Sequence, residues 1–399
     1  ALVVYHNKFA EACGWIRSSV GFAVKNPGGS KQIAQRTLGE GLALDQDERS
    51  FTVFRDNATG LEYIRSSKEL CERGLYVELG AYKCHVFLDF REISDNEWHH
   101  YEHIAAYLNG RGVPSVEAAR LEILLQPVHH PFMELVNADI FRRLMKGRVT
   151  KARAHPDEAL LNEAEGKMQA LLQGIKGFAG GQGDEAAIAR EICAQLSAGL
   201  RLPVLMKGEI GEYLRTNLNN DPAVWGVLFG WLFVHGLGKM VAEIGFEEHS
   251  RSWLDEWQLG RMLAGVLRDL GLDEGAAEYA VTVVKLLTAH QRWFEKKATV
   301  DMFEVLSSLF KDNDAQRALQ VNRYQDTLWF NKEAFEQIIW WMFIIATVVC
   351  SSRSPDRPAV EIPTLWQTVK TLRQASEASG YQVEKLLGAV TGSQEEVLV

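Results

Sequence analysis

Up to about Ile93 the apolar residues of this chain recur every second position, and beyond it they recur with the period of a helix. Successive strand side chains point to opposite faces, so a strand resting on a core by one face alternates apolar and polar residues. Leu75, Val77 and Leu79 alternate with Tyr76 and Glu78. After Gly80 and Ala81, the set Tyr82, Cys84, Val86, Leu88 and Phe90 alternates with Lys83, His85, Asp89 and Arg91. This predicts a half-buried antiparallel strand pair. Positions 50–55 and 61–65 flank DNATG, whose residue types tolerate turns, and so predict a hairpin. Shorter strands are expected over 2–5 and within 15–24. Several short strands separated by turn residues predict an antiparallel β-sandwich over 1–93.

No further strand is expected after Ile93. Ser115, behind Pro114, is a helix cap for VEAARLEILLQ, and Glu117 falls in the first turn, where a carboxylate meets the positive end of the helix dipole. Asp221-Pro222 opens an apolar helix with proline at its tolerated first position. Further helices are predicted over 256–271, from 275 onward, behind a Thr299 cap, and over 331–350. The last is apolar nearly all round in its second half, which places it inside a bundle. Loops are expected at 109–114, 177–184 and 351–363, and no fixed period repeats. The expected fold class is α+β and multidomain: an antiparallel β-sandwich over 1–93, then a large all-α helical bundle over 94–399 with a division near 177–184.

Composition narrows the function classes. A chain of 399 residues exceeds one ordinary domain, and 47% apolar with 24% charged residues is a globular balance. A net charge of −9 argues against a surface built to neutralise phosphates, so no nucleic-acid partner is expected. The five cysteines are odd in number and form no CxxC pair, which disfavours a disulfide framework or a cysteine-rich zinc site and fits a reducing, cytoplasmic setting. The apolar runs at 223–238 and 338–350 fall short of the roughly 20 residues a bilayer crossing needs, so they are expected to be buried core helices and no membrane partner is expected. The opening ALVVYHNKF lacks the charged and apolar regions of a signal peptide and reads as a strand already under way, which points to a longer parent.

Chemical signatures are sparse. GFAGGQG, at 177–183, follows a helix and lacks the Gly-Lys-Ser/Thr ending of a phosphate loop, so a connection between helices is expected. His99 and His103 have the four-residue spacing of metal ligands on a helix, beside His100 and Glu102, but nothing in the sequence supplies a third ligand. His129 and His130 suit packing or capping, and His235 suits a core position. No GxSxG elbow occurs, and no catalytic residue, metal or cofactor is assigned. The most distinctive stretch, VNRYQDTLWFNKEAF at 321–335, gathers Asn322, Arg323, Tyr324, Trp329 and Asn331. Aromatics beside amides and a guanidinium are what sugar and peptide sites use, so these five are the candidate ligand-binding residues. The alternative is a loop that plugs its aromatics into the bundle.

The segments VVYHNKF (3–9), TVFRDNATGLEYIRS (52–66) and ELCERGLYVELGAYKCHVFLDFREI (69–93) resemble the C-terminal part of large bacterial α-amylase-family proteins, glycoside hydrolase family 13. There a β-sandwich follows a catalytic (β/α)8 barrel. VNRYQDTLWFNKEAFEQIIWWMF (321–343) resembles a helical extension that some of those proteins carry after the sandwich. The resemblance implies a non-catalytic accessory region whose partners are an upstream catalytic barrel and an α-glucan or malto-oligosaccharide. That family acts through an aspartate nucleophile and a glutamate acid. Its strand motif with arginine two residues before the aspartate, and its motif ending in Asn-His, are absent, as is the strand–helix alternation of a barrel. No catalytic residue is therefore carried over. Two rival readings are a self-standing helical protein-interaction module with a β-sandwich cap, and an enzyme using a His/Glu or metal site in the helical part.

Overall fold

The computed structural model describes residues 1–25, 29–97, 99–151, 154–218, 221–295, 302–353 and 361–395, with side chains through 391. The chain divides into two compact units, Ala1–Gln126 and Pro127–Val399. It is an α+β protein: antiparallel strands in small sheets precede a large helical region.

The first unit contains β1 (Leu2–Tyr5), β2 (Ala12–Ile16), β3 (Phe22–Lys25), β4 (Lys31–Ala34), α1 (Leu38–Leu42), β5 (Ser50–Asp56), β6 (Glu62–Ser66), α2 (Ser67–Glu72), β7 (Leu75–Leu79), β8 (Cys84–Ser94) and α3 (His100–Leu108). Helix α4 (Val116–Leu135) begins here and runs past the division. A four-stranded antiparallel sheet has the order β1-β8-β5-β6, while β2 pairs with β7 and β3 with β4. The expected hairpin over 50–65 is present as β5 and β6, with Phe51 opposite Ser66 and Arg55 opposite Glu62.

The alternation over 75–79 is borne out, with Leu75, Val77 and Leu79 buried and Tyr76 and Glu78 exposed. However, β7 pairs with β2, and β8 with β1 and β5, so the two runs over 75–90 do not pair with each other. In the four-stranded sheet β5 is covered on both faces. Phe54 and Phe87 pack with Leu38, Leu70, Leu75 and Val77, so β7 and two short helices form a second layer. On the other face Phe51, Val53 and Ile64 pack with Ile104, Leu108 and Val116 from α3 and the start of α4. This explains why β5 carries apolar residues at both parities. Burying a side chain such as Phe54 contributes roughly 2–3 kcal/mol.

The faces of β8 also differ from strict alternation. Asp89 takes φ +54°, and the register against β5 slips between Val53 and Arg55. The extra residue of a β-bulge reverses the parity of all that follows. Phe87 and Phe90, three apart, therefore both reach the Phe54 ring, at 5.3 and 5.0 Å.

The second unit contains α5 (Ala138–Lys146), α6 (Glu158–Ala179), α7 (Glu185–Leu205), α8 (Gly208–Arg215), α9 (Pro222–Val234), α10 (Phe246–Glu256), α11 (Leu259–Asp269), α12 (Glu274–Ala289), α13 (Met302–Lys311) and α14 (Asn313–Ala318). A hairpin of β9 (Asn322–Tyr324) and β10 (Thr327–Trp329) precedes α15 (Lys332–Arg353), α16 (Glu361–Ala378) and α17 (Val383–Glu395). Asp157, Asp184, Asp221, Asp273 and Asp312 cap α6, α7, α9, α12 and α14 by accepting from backbone N–H groups of the first turn. Helices α9 and α15 form the centre, α9 against α7 and α12, α15 against α7 and α16. Gly226 and Gly230 on α9 admit Leu267 and Leu263 at distances that a Cβ would forbid. Two helical segments, Pro222–Met240 and Lys332–Arg353, are long and apolar enough to cross a membrane, exceeding the apolar runs seen in the sequence. Their most apolar windows are 83% and 89% buried inside the protein, as expected of core helices.

Several expected boundaries move. The β9–β10 hairpin is a strand pair beyond Ile93, so the region 94–399 is not purely helical. The helix expected over 256–271 breaks at Gln258, whose φ is +56°, into the end of α10 and the whole of α11. Helix α6 continues to Ala179, leaving 180–184 to connect it with α7, which packs against it. Residues 351–353 belong to α15 and 361–363 to α16; 354–360, like the Thr299 cap, lie outside the described residues.

Candidate functional site

The five residues singled out at 322–331 lie on and beside the β9–β10 hairpin. Its turn is made by Gln325 and Asp326, both with positive φ, as a two-residue type I′ connection requires. Tyr324 is 64% exposed, and Asn322 and Arg323 are exposed too. Trp329 pairs with Asn322 across the hairpin and bridges to Gln382, and its indole N–H is buried without a partner. Asn331 has a role in the fold. Its side-chain oxygen accepts from the Ala334 N–H at 2.9 Å at the start of α15, and its own N–H donates to the Leu319 carbonyl.

The metal spacing of His99 and His103 does not lie along one helix face. His99 is the residue before α3, with φ +54°, and only His103 is helical. What the fold does assemble is Asp95, His99 and Glu102, whose ligand atoms lie within 4.8 Å of one another and can share a divalent cation. Asp95 already caps α3, accepting from the N–H groups of Asn96, Tyr101 and Glu102 at 2.9 Å each. Burial pushes its carboxyl up, and these three bonds more than reverse that, holding it below the usual carboxylate range. His99 Nδ1 is 2.8 Å from Glu102 Oε2. His129 Nε2 lies 2.8 Å from the Trp257 carbonyl, a packing role, and His235 is buried in the core.

The first unit also holds a cleft of about 850 Å³ that the sequence does not announce. It runs beside β6, the edge of the four-stranded sheet, and β7. Trp15, Tyr63, Tyr76 and His85 supply its ring surfaces. Trp15 and Tyr76 are opposed across the β2–β7 pair and meet edge to face at 5.5 Å, while the Arg73 guanidinium lies 4.3 Å over the Trp15 ring. Tyr63 stacks on Phe54 at 5.7 Å, with Gly112 so close behind it that a Cβ there would come within 2.7 Å of the ring. His85 lies flat on Phe87 at 5.3 Å. Its Nδ1 faces Asp56 Oδ2 at 2.8 Å and its Nε2 faces the Glu78 carbonyl at 3.3 Å.

The polar lining includes Glu48, Glu69, Glu78, Glu102, Arg65 and Asn109. Arg65 donates to the Ile64 and Gly110 carbonyls at 2.8 Å each, and burial pulls its pKa down. Glu48 pairs with Lys68 at 2.7 Å, a bond that holds its carboxyl below the usual range, and Glu69 pairs with Arg73 at 3.2 Å. A hydrogen bond to Cys13 and the charge its thiolate would carry push the Tyr76 hydroxyl up to about 12. Chemically, this is a rigid wall of ring faces edged by fixed donors and acceptors. The one local signal for it is Tyr76, a large ring on the polar face of β7. The other ring positions are far apart along the chain.

No family model matches this chain, and neither does any curated protein or any solved structure.

Proposed function

We propose that the chain is a non-catalytic accessory region of an α-amylase-like glycosidase of the cytoplasm, stabilising an upstream catalytic barrel and docking α-glucan. The observation that carries this is where the resembling segments fall. Positions 3–9, 52–66 and 69–93 contribute strands β1, β5, β6, β7 and β8, which include every strand of the four-stranded sheet. The resemblance thus follows the strands of that sheet, together with β7 of the layer packed on it, rather than scattered loops. The test is calorimetric titration of the whole chain with maltoheptaose, beside a reducing-end assay on starch. Binding without hydrolysis is the expected result; a silent titration removes the docking role. An in-frame barrel upstream in the source DNA is the second expectation, and a stop codon immediately upstream would sink it.

The rival reading is a helical protein-interaction module. It draws on the groove of about 590 Å³ between α11 and α12, where Arg261, Arg268 and Glu278 present mixed charge to solvent. Recovery of a specific protein partner whose binding is lost in the charge-reversed variant Arg261→Glu would favour it.

A further inference from the structure

We infer that the cleft beside β6 and β7 is a saccharide site that takes a neutral, linear oligosaccharide across Tyr76 and Trp15; that the sugar is an α-glucan rests on the function proposed above. Size comes first: about 850 Å³ lies within the range of small-ligand pockets.

Charge narrows the ligand further. The carboxylates of Glu48 and Glu69 are matched by Lys68 and Arg73 at 2.7 and 3.2 Å, and Glu102 Oε2 lies 2.8 Å from His99 Nδ1. Glu78 and Arg65 complete the charged lining, one of each sign, and the guanidinium is committed to two backbone carbonyls. With most of its charge balanced locally, the cleft offers little field to attract an anion or a polycation. A purely apolar ligand would strip water from these carboxylates without replacing their hydrogen bonds. A sugar ring does neither. Its C–H face rests on an aromatic ring, while its hydroxyls both donate to carboxylates and accept from the Asn109 amide.

Preorganisation is the third consideration. Tyr63 is backed by Gly112, His85 is pinned between Asp56 and Phe87, and Trp15 is fixed by Arg73. Little side-chain freedom remains to be lost on binding, which favours affinity. Tyr76 is 43% exposed on a strand whose other face is core, so part of its ring is open to a ligand.

The experiment titrates the full chain with maltoheptaose, cellohexaose and xylohexaose, using wild type, Tyr76→Ala, Trp15→Phe and Tyr324→Ala, with circular dichroism to verify folding. Tyr76→Ala is expected to weaken binding at least ten-fold and Trp15→Phe several-fold. Wild-type affinity in both cleft variants overturns the inference and leaves the α-glucan reading standing, as does a loss confined to Tyr324→Ala, which moves the site to the hairpin. Tyr76-dependent binding of cellohexaose or xylohexaose without maltoheptaose upholds the inference and overturns the α-glucan reading. Wild-type protein that binds none of the three overturns the inference.

Discussion

Asp56 closes the β5–β6 turn and at the same time anchors His85 on β8. Its Oδ2 lies 2.8 Å from His85 Nδ1 and 3.0 Å from Thr59 Oγ1, while Oδ1 accepts from the N–H groups of Ala58 and Val86 at 3.1 and 3.3 Å. Burial pushes this carboxyl up, but the four bonds outweigh it and hold its pKa below the ordinary value. A depressed carboxyl contributes stability that is present above the unfolded-state pKa and lost as pH falls through the folded one. Urea unfolding should therefore show the first unit weakening as pH drops below about 4. Asp56→Ala should cost about 2 kcal/mol at pH 7 and flatten that acid limb. An unchanged limb would mean that the carboxylate is not the titrating group.

Two glycines on either side of β5 and β6 should respond in opposite directions to alanine. Gly74 has φ +89°, and a Cβ there would lie 2.2 Å from the Ile16 carbonyl oxygen, which is backbone and cannot swing aside. Gly74→Ala should destabilise by about 3 kcal/mol, from strain at a left-handed position plus displacement of β2. Gly41 sits within α1 and meets nothing within 4 Å. Gly41→Ala should stabilise by about 0.5–1 kcal/mol, since alanine has less backbone entropy to lose in a helix. Chemical denaturation of both variants gives the two signs in one experiment.

His235 should make the helical unit acid-sensitive in its own way. Burial, and then the charge of Lys239, push its pKa down to about 3. Its ring packs against Trp231, with centroids 4.3 Å apart. Between the unfolded value near 6.5 and the folded value the unfolded chain holds the extra proton, so stability is full above pH 6.5 and falls as pH decreases. The loss is on the order of 4 kcal/mol by pH 3. His235→Leu should leave Tm at pH 7 nearly unchanged and shrink the drop between pH 7 and pH 4.5. Equal drops in both proteins would place the acid sensitivity elsewhere.

The cysteines should separate by reactivity. Cys13 and Cys84 are exposed, whereas burial pushes the thiols of Cys193 and Cys350 up to about 12. Only thiolate is nucleophilic. A disulfide reagent at pH 8 should therefore modify Cys13 and Cys84 in the native protein and reach Cys193 and Cys350 only after denaturant is added. Rapid labelling of either buried thiol in the native state would contradict the packing of α7 or α15.

What the sequence by itself determined is what short-range chemistry controls. The period-two and helical textures separate at Ile93. DNATG makes the β5–β6 turn, Asp221-Pro222 opens α9, and the uninterrupted apolar stretch of α15 puts it in the core. Each of these depends on residues within one or two turns of each other. The tertiary structure decided whatever depends on pairing between distant segments. The bulge at Asp89, which brings Phe87 and Phe90 to one ring, follows from the register against β5 and has no local sign such as glycine. The β9–β10 turn uses Gln325 and Asp326 in a left-handed conformation that neither residue advertises as strongly as Asn-Gly would. His99 looks helical by spacing yet stands outside α3, because Asp95 caps the helix from behind it. The cleft is the clearest case: Trp15, Tyr63, Tyr76 and His85 come from four strands in two sheets. Their assembly follows from burying Phe54 and Phe87 between those sheets, a packing constraint that no stretch of sequence carries alone.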